Sequence, residues 1–150
     1  MATVLITGGA GFIGSNLARG LVARGDTVRV FDDLSSGHRA NLDGVDVEMI
    51  VGDVRDRAAI NKAMQGVECV LHQAALPSVI RSVEDPATSH DVNINGMLNV
   101  LEGARHAGVR RVVYAASSSA YGETPVLPKV EHMAPQPLSP YGVAKLLGEY

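Results

Sequence analysis

The feature that most constrains this 150-residue chain is a glycine-rich segment close to its N-terminus, Thr7-Gly-Gly-Ala-Gly-Phe-Ile-Gly14. The apolar run at residues 4–6 is typical of a buried strand, and residues 12–24 have the periodicity of a helix. A glycine loop between a strand and a helix is the arrangement that binds a diphosphate, because the helix directs its N–H groups and positive dipole end at the anion.

The glycines of this segment satisfy two spacings. Gly9, Gly11 and Gly14 satisfy G-x-G-x-x-G, whereas Gly8, Gly11 and Gly14 satisfy G-x-x-G-x-x-G. Each glycine has a chemical reason: one forms a tight turn, one lets the backbone approach a pyrophosphate, and one allows close packing of helix on strand. The alternative is an ordinary glycine-rich turn, but the order of strand, loop and helix favours a dinucleotide site.

Composition limits the remaining classes. Hydrophobic residues make up 46% of the chain and the formal net charge is −3, so we expect a globular protein with no nucleic-acid partner. The sequence has no apolar stretch of membrane-spanning length and no signal peptide, which predicts a cytoplasmic protein without a membrane partner. A single cysteine excludes an intrachain disulfide, and the five histidines have no ligand spacing, so no metal site is predicted.

Strand-like and helical segments alternate along nearly the whole chain. Strands are predicted at residues 4–6, 27–31, 45–51, 68–72 and 111–116, and helices at 12–24, 55–65, 87–107 and from Ser139–Pro140 onward. The core side of the long helix is predicted to consist of Met97, Leu98, Val100 and Leu101. We therefore predict one domain, residues 1–150, as a doubly wound parallel α/β sheet (a Rossmann fold) of about five strands with helices on both faces.

Acidic residues follow two of these strands. Asp32 ends the second strand, where a carboxylate accepts hydrogen bonds from both hydroxyls of an adenosine ribose and repels a 2′-phosphate, so NAD is favoured over NADP. A turn aspartate is the alternative, and the role of neighbouring Asp33 stays open. Asp53 follows the third strand and is a candidate for binding adenine, or else the N-cap of the helix that begins near Arg55.

A second group of residues has the chemistry of a proton-transfer site. Tyr141 and Lys145 are four residues apart, which places both on one face of a helix. An ammonium beside a phenol favours the phenolate, a general base that takes a proton from an alcohol while hydride leaves the same carbon. Ser117, Ser118 and Ser119 follow the fifth strand, where a hydroxyl can hold the substrate oxygen. An exposed helix face and a polar strand end are the alternatives.

Together these segments resemble the extended short-chain dehydrogenase/reductase family, specifically NAD-dependent nucleotide-sugar epimerases of the UDP-galactose 4-epimerase type. The resemblance covers residues 4–150, the N-terminal half of such proteins. Its motifs are the glycine segment, Gly52-Asp-Val-Arg55, His72-Gln-Ala-Ala75, Asp91-Val-Asn-Ile-Asn-Gly96, Ser117-Ser-Ser-Ala-Tyr-Gly122 and Ser139-Pro-Tyr-Gly-Val-Ala-Lys145.

The resemblance implies NAD as cofactor, a UDP-sugar as substrate, and reversal of configuration at sugar C4 through a transient 4-keto intermediate. Tyr141 is then the base, Lys145 the group that favours its phenolate and binds the nicotinamide ribose, and Ser117 the partner of the substrate hydroxyl, a role that Ser118 or Ser119 can share. The cofactor-binding residues that it implies are Gly8, Gly11, Phe12, Ile13, Gly14, Asp32, Asp33, Ser36, Gly37, Asp53, Val54, Gln73, Ala74, Ala75, Tyr141 and Lys145.

The chain also departs from the family pattern. Related dehydratases carry an Asp-Glu pair where this chain has Ser118 and Ser119, so the resemblance implies epimerisation rather than dehydration. Family members are longer, and their C-terminal substrate domain is absent from this sequence. The alternatives are therefore an NAD-binding protein without epimerase turnover, or a reductase of a small carbonyl compound. A homodimer through the last helices is expected, because Val143, Leu146 and Leu147 leave apolar positions there.

Overall fold

The computed structural model describes residues 1–150, which form two compact units. The sheet unit comprises residues 1–74 and 96–115, and the helical unit comprises residues 75–95 and 116–150. None of the helices has both the length and the apolar character needed to cross a membrane. The prediction of one domain over the whole chain stays a prediction.

The sheet unit contains five parallel strands in the order β3-β2-β1-β4-β5. Their bounds are β1 Thr3–Thr7, β2 Thr27–Asp32, β3 Glu48–Val51, β4 Cys69–His72 and β5 Arg111–Tyr114. The predicted parallel α/β sheet is confirmed, although β3 begins at Glu48 rather than at residue 45. Strands β2 and β3 are added on one side of β1, and β4 and β5 on the other. The strand order thus switches direction at β1, and the loop that follows β1 is the glycine segment. This is the point at which open α/β sheets bind ligands.

Six α-helices accompany the strands. Their bounds are α1 Phe12–Arg24, α2 Arg57–Ala63, α3 Val79–Glu84, α4 Pro86–His90, α5 Gly96–Ala107 and α6 Pro140–Leu147. Helix α1 has the predicted bounds, whereas α3 falls in a segment that the sequence predicted as loop. The predicted helix over residues 87–107 is interrupted, because a π-helical turn, Asp91–Asn95, separates α4 from α5.

Helices cover both faces of the sheet. Alternate residues of β1 and β2, with Val4 and Val30 at their centre, pack in one cluster with Ala18 of α1. Leu5 and Phe31 are each next in sequence to a residue of this cluster, so they face the opposite side of the sheet, where both are fully buried. There, α5 packs against β4 and α2 packs against α5.

The apolar face of α5 is narrower than the sequence predicted. Met97 and Val100 are buried as expected, but Leu98 and Leu101 are 55% and 41% exposed, so their prediction as core residues is wrong. The buried positions recur at Gly96, Met97, Val100, Gly103 and Ala104, which is one helical stripe.

The helical unit holds α6 through caps and through packing. Ser139 caps α6 by accepting the N–H of Gly142 at 3.0 Å, and Pro140 occupies the first helical position, as predicted. Helices α3 and α4 both pack against α6. Close to α6, the irregular segment 123–135 is closed at its base, where the Gln136 N–H donates to Ala120 O at 2.9 Å.

Candidate functional site

The three glycines of the G-x-x-G-x-x-G spacing have three different environments in the sheet unit. Gly8 has φ +68°, and a Cβ there would lie 2.6 Å from the Ala74 backbone nitrogen. A Cβ at Gly14 would lie 2.6 Å from Gly9 Cα and still closer to Gly8 O. A Cβ at Gly11 would meet only Gly8 O, at 3.3 Å. Close packing therefore requires glycine at positions 8 and 14, whereas the surroundings of Gly11 are more open.

The N-terminus of α1 also leaves room for an anion. Gly11 is the N-cap with extended backbone, no side chain caps the helix, and its first turn has no acidic residue. Phe12 and Ile13 open the helix with side chains that are 83% and 59% exposed. The first N–H groups and the dipole of a 13-residue helix thus point out of the glycine loop, which fits the diphosphate of a dinucleotide.

Asp32 is 7% exposed and organises the loop that follows β2. One carboxylate oxygen accepts the N–H of Ala10 at 2.9 Å and the other accepts the N–H of Leu34 at 2.8 Å. A Cβ at Gly37 would lie 3.0 Å from the latter oxygen, Oδ1, so glycine allows the loop to close on the carboxylate. Asp32 therefore connects the loop to the glycine segment. Each carboxylate oxygen can accept more than one hydrogen bond, so stabilising the turn does not prevent Asp32 from binding a ribose.

The neighbouring loop residues differ in burial. Asp33 is exposed, and its Oδ1 accepts both the N–H and the hydroxyl of Ser35, at 2.9 and 2.7 Å. Ser36 is exposed, whereas Gly37 is buried. Asp33 is thus a turn residue in this structure, and Ser36 is accessible to a ligand.

Asp53 does not cap α2, so that alternative from the sequence is wrong. The cap is Asp56, whose carboxylate accepts the N–H groups of Ala58 and Ala59. Asp53 instead accepts the backbone N–H of Arg55 at 2.9 Å and pairs with its guanidinium at 2.5 Å. The hydrogen bond from that guanidinium holds the pKa of the Asp53 carboxyl below its usual value.

The remaining residues of the predicted cofactor set lie in two places. Val54 is 6% exposed, and its side chain fills the space beside Gly96. The N–H groups of Gln73 and Ala74 donate to the backbone oxygen and the hydroxyl of Thr7, at 3.0 and 3.4 Å. The end of β4 is thereby held beside the glycine loop. Ala75 belongs to the helical unit.

The helical unit brings the serine segment and the tyrosine together. Ser117 caps the 3₁₀ turn Ser118–Tyr121, and its hydroxyl accepts the N–H of Ser119 at 3.2 Å. A Cβ at Gly142 would lie 2.8 Å from Ser119 O, so glycine lets the first turn of α6 approach this turn closely. Tyr141 precedes Gly142, which puts it at the point where α6 meets the serines.

Lys145 lies one helical turn after Tyr141, and its Nζ lies over the Tyr141 ring. The Lys145 Nζ is 5.9 Å from the centroid of the Tyr141 ring. Lys145 is only 4% exposed, although lysine is among the residue types that are least often buried. The two side chains thus lie on one face of α6, in the same unit as the three serines, and their role as a catalytic pair stays a prediction.

Burial of Lys145 has an electrostatic consequence. Removal of the ammonium from water lowers the pKa of Lys145 to about 8, from its usual 10.5. The unfolded chain therefore binds this proton more tightly than the folded chain. As a result, the contribution of Lys145 to the free energy of unfolding rises with pH between about 8 and 10.5. Below pH 8 the buried amine is charged, and its burial then lowers the stability by the full amount.

We expect Lys145→Met to remove this pH dependence. The free energy of unfolding of the wild type should rise relative to that of the variant as pH goes from 8 to 10, by on the order of 2 kcal/mol. Urea denaturation followed by circular dichroism at several pH values measures the difference, in which the other titrating groups cancel. A difference that stays constant over this range would contradict a buried, titrating Lys145.

Sequence reasoning missed one residue of this site, Ser82. Its hydroxyl accepts the backbone N–H of Tyr141 at 3.1 Å, across 59 positions of sequence. The segment between Pro77 and Pro86 gave no signal for this contact, because α3 is too short to show helical periodicity.

The sequence also matches known proteins. Residues 4–150 match the model of the NAD dependent epimerase/dehydratase family. A putative UDP-glucose 4-epimerase of Methanocaldococcus jannaschii is 40% identical over 148 residues, which are 97% of this chain and 48% of that protein. Sterol demethylase protein B of Methylococcus capsulatus is 43% identical over 138 residues, which are 92% of this chain and 41% of that protein.

The fold also matches solved structures. The crystal structure of UDP-glucose 4-epimerase from Brucella ovis in complex with NAD superposes with a TM-score of 0.93 at 36% identity. The match covers 99% of this chain and 46% of that one. The chain thus spans about half the length of the relatives that it matches.

Proposed function

This chain belongs to the NAD-dependent epimerase/dehydratase family, and on that basis we propose that it supports NAD-dependent epimerisation of a UDP-sugar at C4 through a transient 4-keto intermediate. The observation that carries the proposal is the position of the buried Lys145, whose Nζ lies over the Tyr141 ring at 5.9 Å from its centroid, beside the serine segment. A phenol, an ammonium and a hydroxyl in one place form the set that proton transfer to and from an alcohol requires.

Each side chain has a proposed role in the reaction. Tyr141 takes the proton from the C4 hydroxyl and later returns one to the same oxygen. Lys145, charged below pH 8, stabilises the phenolate and binds the nicotinamide ribose. Ser117, with Ser118 and Ser119 as neighbours that can share the role, holds the reacting oxygen. NAD supplies a hydride acceptor and, in the return step, the hydride donor.

The residues present fit this cofactor. The loop has open space at Gly11 and an uncapped N-terminus of α1 to receive a diphosphate. Asp32 supplies a carboxylate for a ribose diol and disfavours the 2′-phosphate of NADP. The exposed Ser36 beside it, and Gln73 and Ala74 beside Gly8, complete the proposed set of contacts from the sheet unit.

The first test is calorimetric titration of the protein with NAD, compared with Asp32→Ala. We expect the variant to bind NAD at least about tenfold more weakly, a loss of about 1.4 kcal/mol, because the ribose loses its acceptor. Asp32→Asn removes the charge and one of the two oxygens that accept backbone N–H groups, and should narrow the preference for NAD over NADP. Asp46→Ala, an exposed aspartate in the loop before β3, is the matched control and should bind as the wild type does.

Interconversion of UDP-galactose and UDP-glucose by the NAD-loaded protein is the second test. Turnover without net change in NADH absorbance supports the proposal. NAD binding without conversion of these sugars or of the N-acetylated pair, UDP-N-acetylglucosamine and UDP-N-acetylgalactosamine, contradicts it and favours an NAD-binding protein without epimerase activity.

A reductase of a smaller carbonyl compound is the second candidate. The likeness to sterol demethylase protein B shows that similarity at this level is not confined to relatives named as sugar epimerases. Net consumption of NADH with a carbonyl substrate distinguishes this candidate from epimerisation, in which the cofactor ends unchanged.

We also propose a homodimer through α6. Val143 and Leu147 are each 44% exposed on this helix and leave an apolar surface that self-association would cover. Light scattering of the purified chain measures its mass in solution, and a monomer at all concentrations tested would contradict the dimer.

A further inference from the structure

The first turn of α6 obtains its hydrogen-bond partners from more than one element. Pro140, at the first helical position, has no N–H to satisfy. The N–H of Gly142 donates to the N-cap side chain, Ser139 Oγ, at 3.0 Å. The N–H of Tyr141 lies between them and donates to Ser82 Oγ of α3 at 3.1 Å. The N-terminal N–H groups of a helix have no partner within the helix, so the partner of Tyr141 has to come from elsewhere.

Ser82 is built to accept this bond. The side chain is fully buried, and its hydroxyl donates to Val79 O at 2.6 Å within α3. A serine hydroxyl has one hydrogen to donate, and Val79 takes it, so the oxygen faces Tyr141 as an acceptor only. Ser78 in turn caps α3 by accepting the N–H of Arg81 at 3.1 Å. The backbone of Tyr141 is thereby fixed to a capped helix other than its own.

We propose that Ser82 is a positioning residue for the proton transfer assigned to Tyr141, an inference that rests on the proposed function. A general base has to lie within hydrogen-bond reach of the proton that it takes. Loss of the Ser82 oxygen leaves the Tyr141 N–H without an acceptor where α3 and α6 pack together. The first turn of α6 then shifts so that this N–H can bind water. Catalysis is sensitive to such movements, because a misplacement of about 1 Å can lower a rate by about a hundredfold.

Amide hydrogen exchange tests the bond itself, with no need for turnover. In Ser82→Ala, exchange at the Tyr141 amide should accelerate at least about tenfold, while Gly142, which keeps its own cap, should change less. Ser89→Ala is the matched control: Ser89 is 2% exposed in α4, and its hydroxyl accepts from Asn93 at 3.4 Å rather than from α6. Exchange at Tyr141 that is the same in Ser82→Ala as in the wild type overturns the inference.

Steady-state kinetics tests the role. We expect Ser82→Ala to lower kcat about tenfold with little change in KM, Ser82→Thr to restore part of the loss because it keeps the hydroxyl, and Ser89→Ala to retain the wild-type kcat. A wild-type kcat in Ser82→Ala, or an equal loss in Ser89→Ala, overturns the positioning role while Tyr141 stays the base. Failure of the proposed function is recognised separately, by full turnover in Tyr141→Phe.

Discussion

Gly14→Ala is expected to destabilise the fold and to abolish NAD binding. The added Cβ would lie 2.6 Å from Gly9 Cα and closer still to Gly8 O, and both are backbone atoms of a loop closed by the Gly8 N–H bond to Phe31 O. Backbone cannot rotate away as a side chain can, so helix α1 has to separate from β1. We expect the free energy of unfolding to fall by about 3 kcal/mol, measured by urea denaturation, with no heat of NAD binding.

Gly20→Ala is the control in the same helix. Gly20 is exposed, and a Cβ there meets nothing within 4 Å. The substitution should raise the free energy of unfolding by about 1 kcal/mol, because alanine is the better helix former. A Gly14→Ala variant as stable as the wild type would show that the close approach of helix and loop is not required.

Gly11→Ala separates folding from binding within the same motif. Its Cβ would meet only Gly8 O, at 3.3 Å, a tight contact that a small shift of the loop relieves, so the variant should lose much less stability than Gly14→Ala. The methyl group would occupy the space left for the diphosphate, and NAD affinity should fall at least about tenfold. Equal NAD affinity in this variant and the wild type would place the diphosphate elsewhere.

Tyr141→Phe is expected to have the largest effect on turnover. It removes only the phenolic oxygen, since the bond to Ser82 is made by the backbone N–H, so the stability should be preserved. Loss of a general base typically lowers kcat by about 10²–10⁴-fold, and KM for the sugar should change little because the remaining contacts stay. Tyr150→Phe, at a side chain that is 93% exposed, is the matched control.

Two results decide the interpretation of that variant. A kcat near that of the wild type would mean that another group takes the proton, and the roles of Lys145 and Ser82 would fall with that of Tyr141. A loss of kcat together with a loss of stability would instead point to misfolding, which the urea midpoint of the same sample reveals.

The sequence predicted best those elements that local signals define on both sides. Helix α1 was predicted from Phe12 to Arg24, and it ends there because Gly25 adopts φ +92° and its N–H returns to Val22 O. The strand prediction at residues 45–51 was too long, since apolar alternation begins before the pairing of Glu48 with Arg29. Apolar alternation indicates which side chains share a face, whereas backbone pairing with the neighbouring strand decides where the strand begins.

The interrupted helix was beyond local prediction. A π-turn at Asp91–Asn95 inserts an extra residue into the helical period, so a face counted through residues 87–107 rotates on passing it. The error at Leu98 and Leu101 has another origin: they are apolar neighbours of the buried Met97 and Val100 within α5, and residue type alone does not show which of them face the core. The missed α3 has only six residues, too few to show a period.

The site was predictable in part. The chemistry proposed for the glycines, Asp32, Tyr141 and Lys145 follows from residue type and spacing, and the structure places Lys145 Nζ over the Tyr141 ring. The Ser82 bond was not predictable, because nothing local links two residues 59 positions apart. Asp53 was also misassigned as a possible cap, since the actual N-cap of α2, Asp56, is another aspartate only three positions further on.

The closed base of segment 123–135 has a consequence for how such a protein can diversify. Gln136 bonds to Ala120, and a side chain at Gly122 would collide with Gln136 O, so the two ends of the segment are joined independently of what lies between them. Within the segment, Lys129 donates to the backbone oxygens of Thr124 and Val126. The segment is thus a self-contained insert, and its sequence and length can be exchanged between homologues while the serine turn and α6 keep their positions.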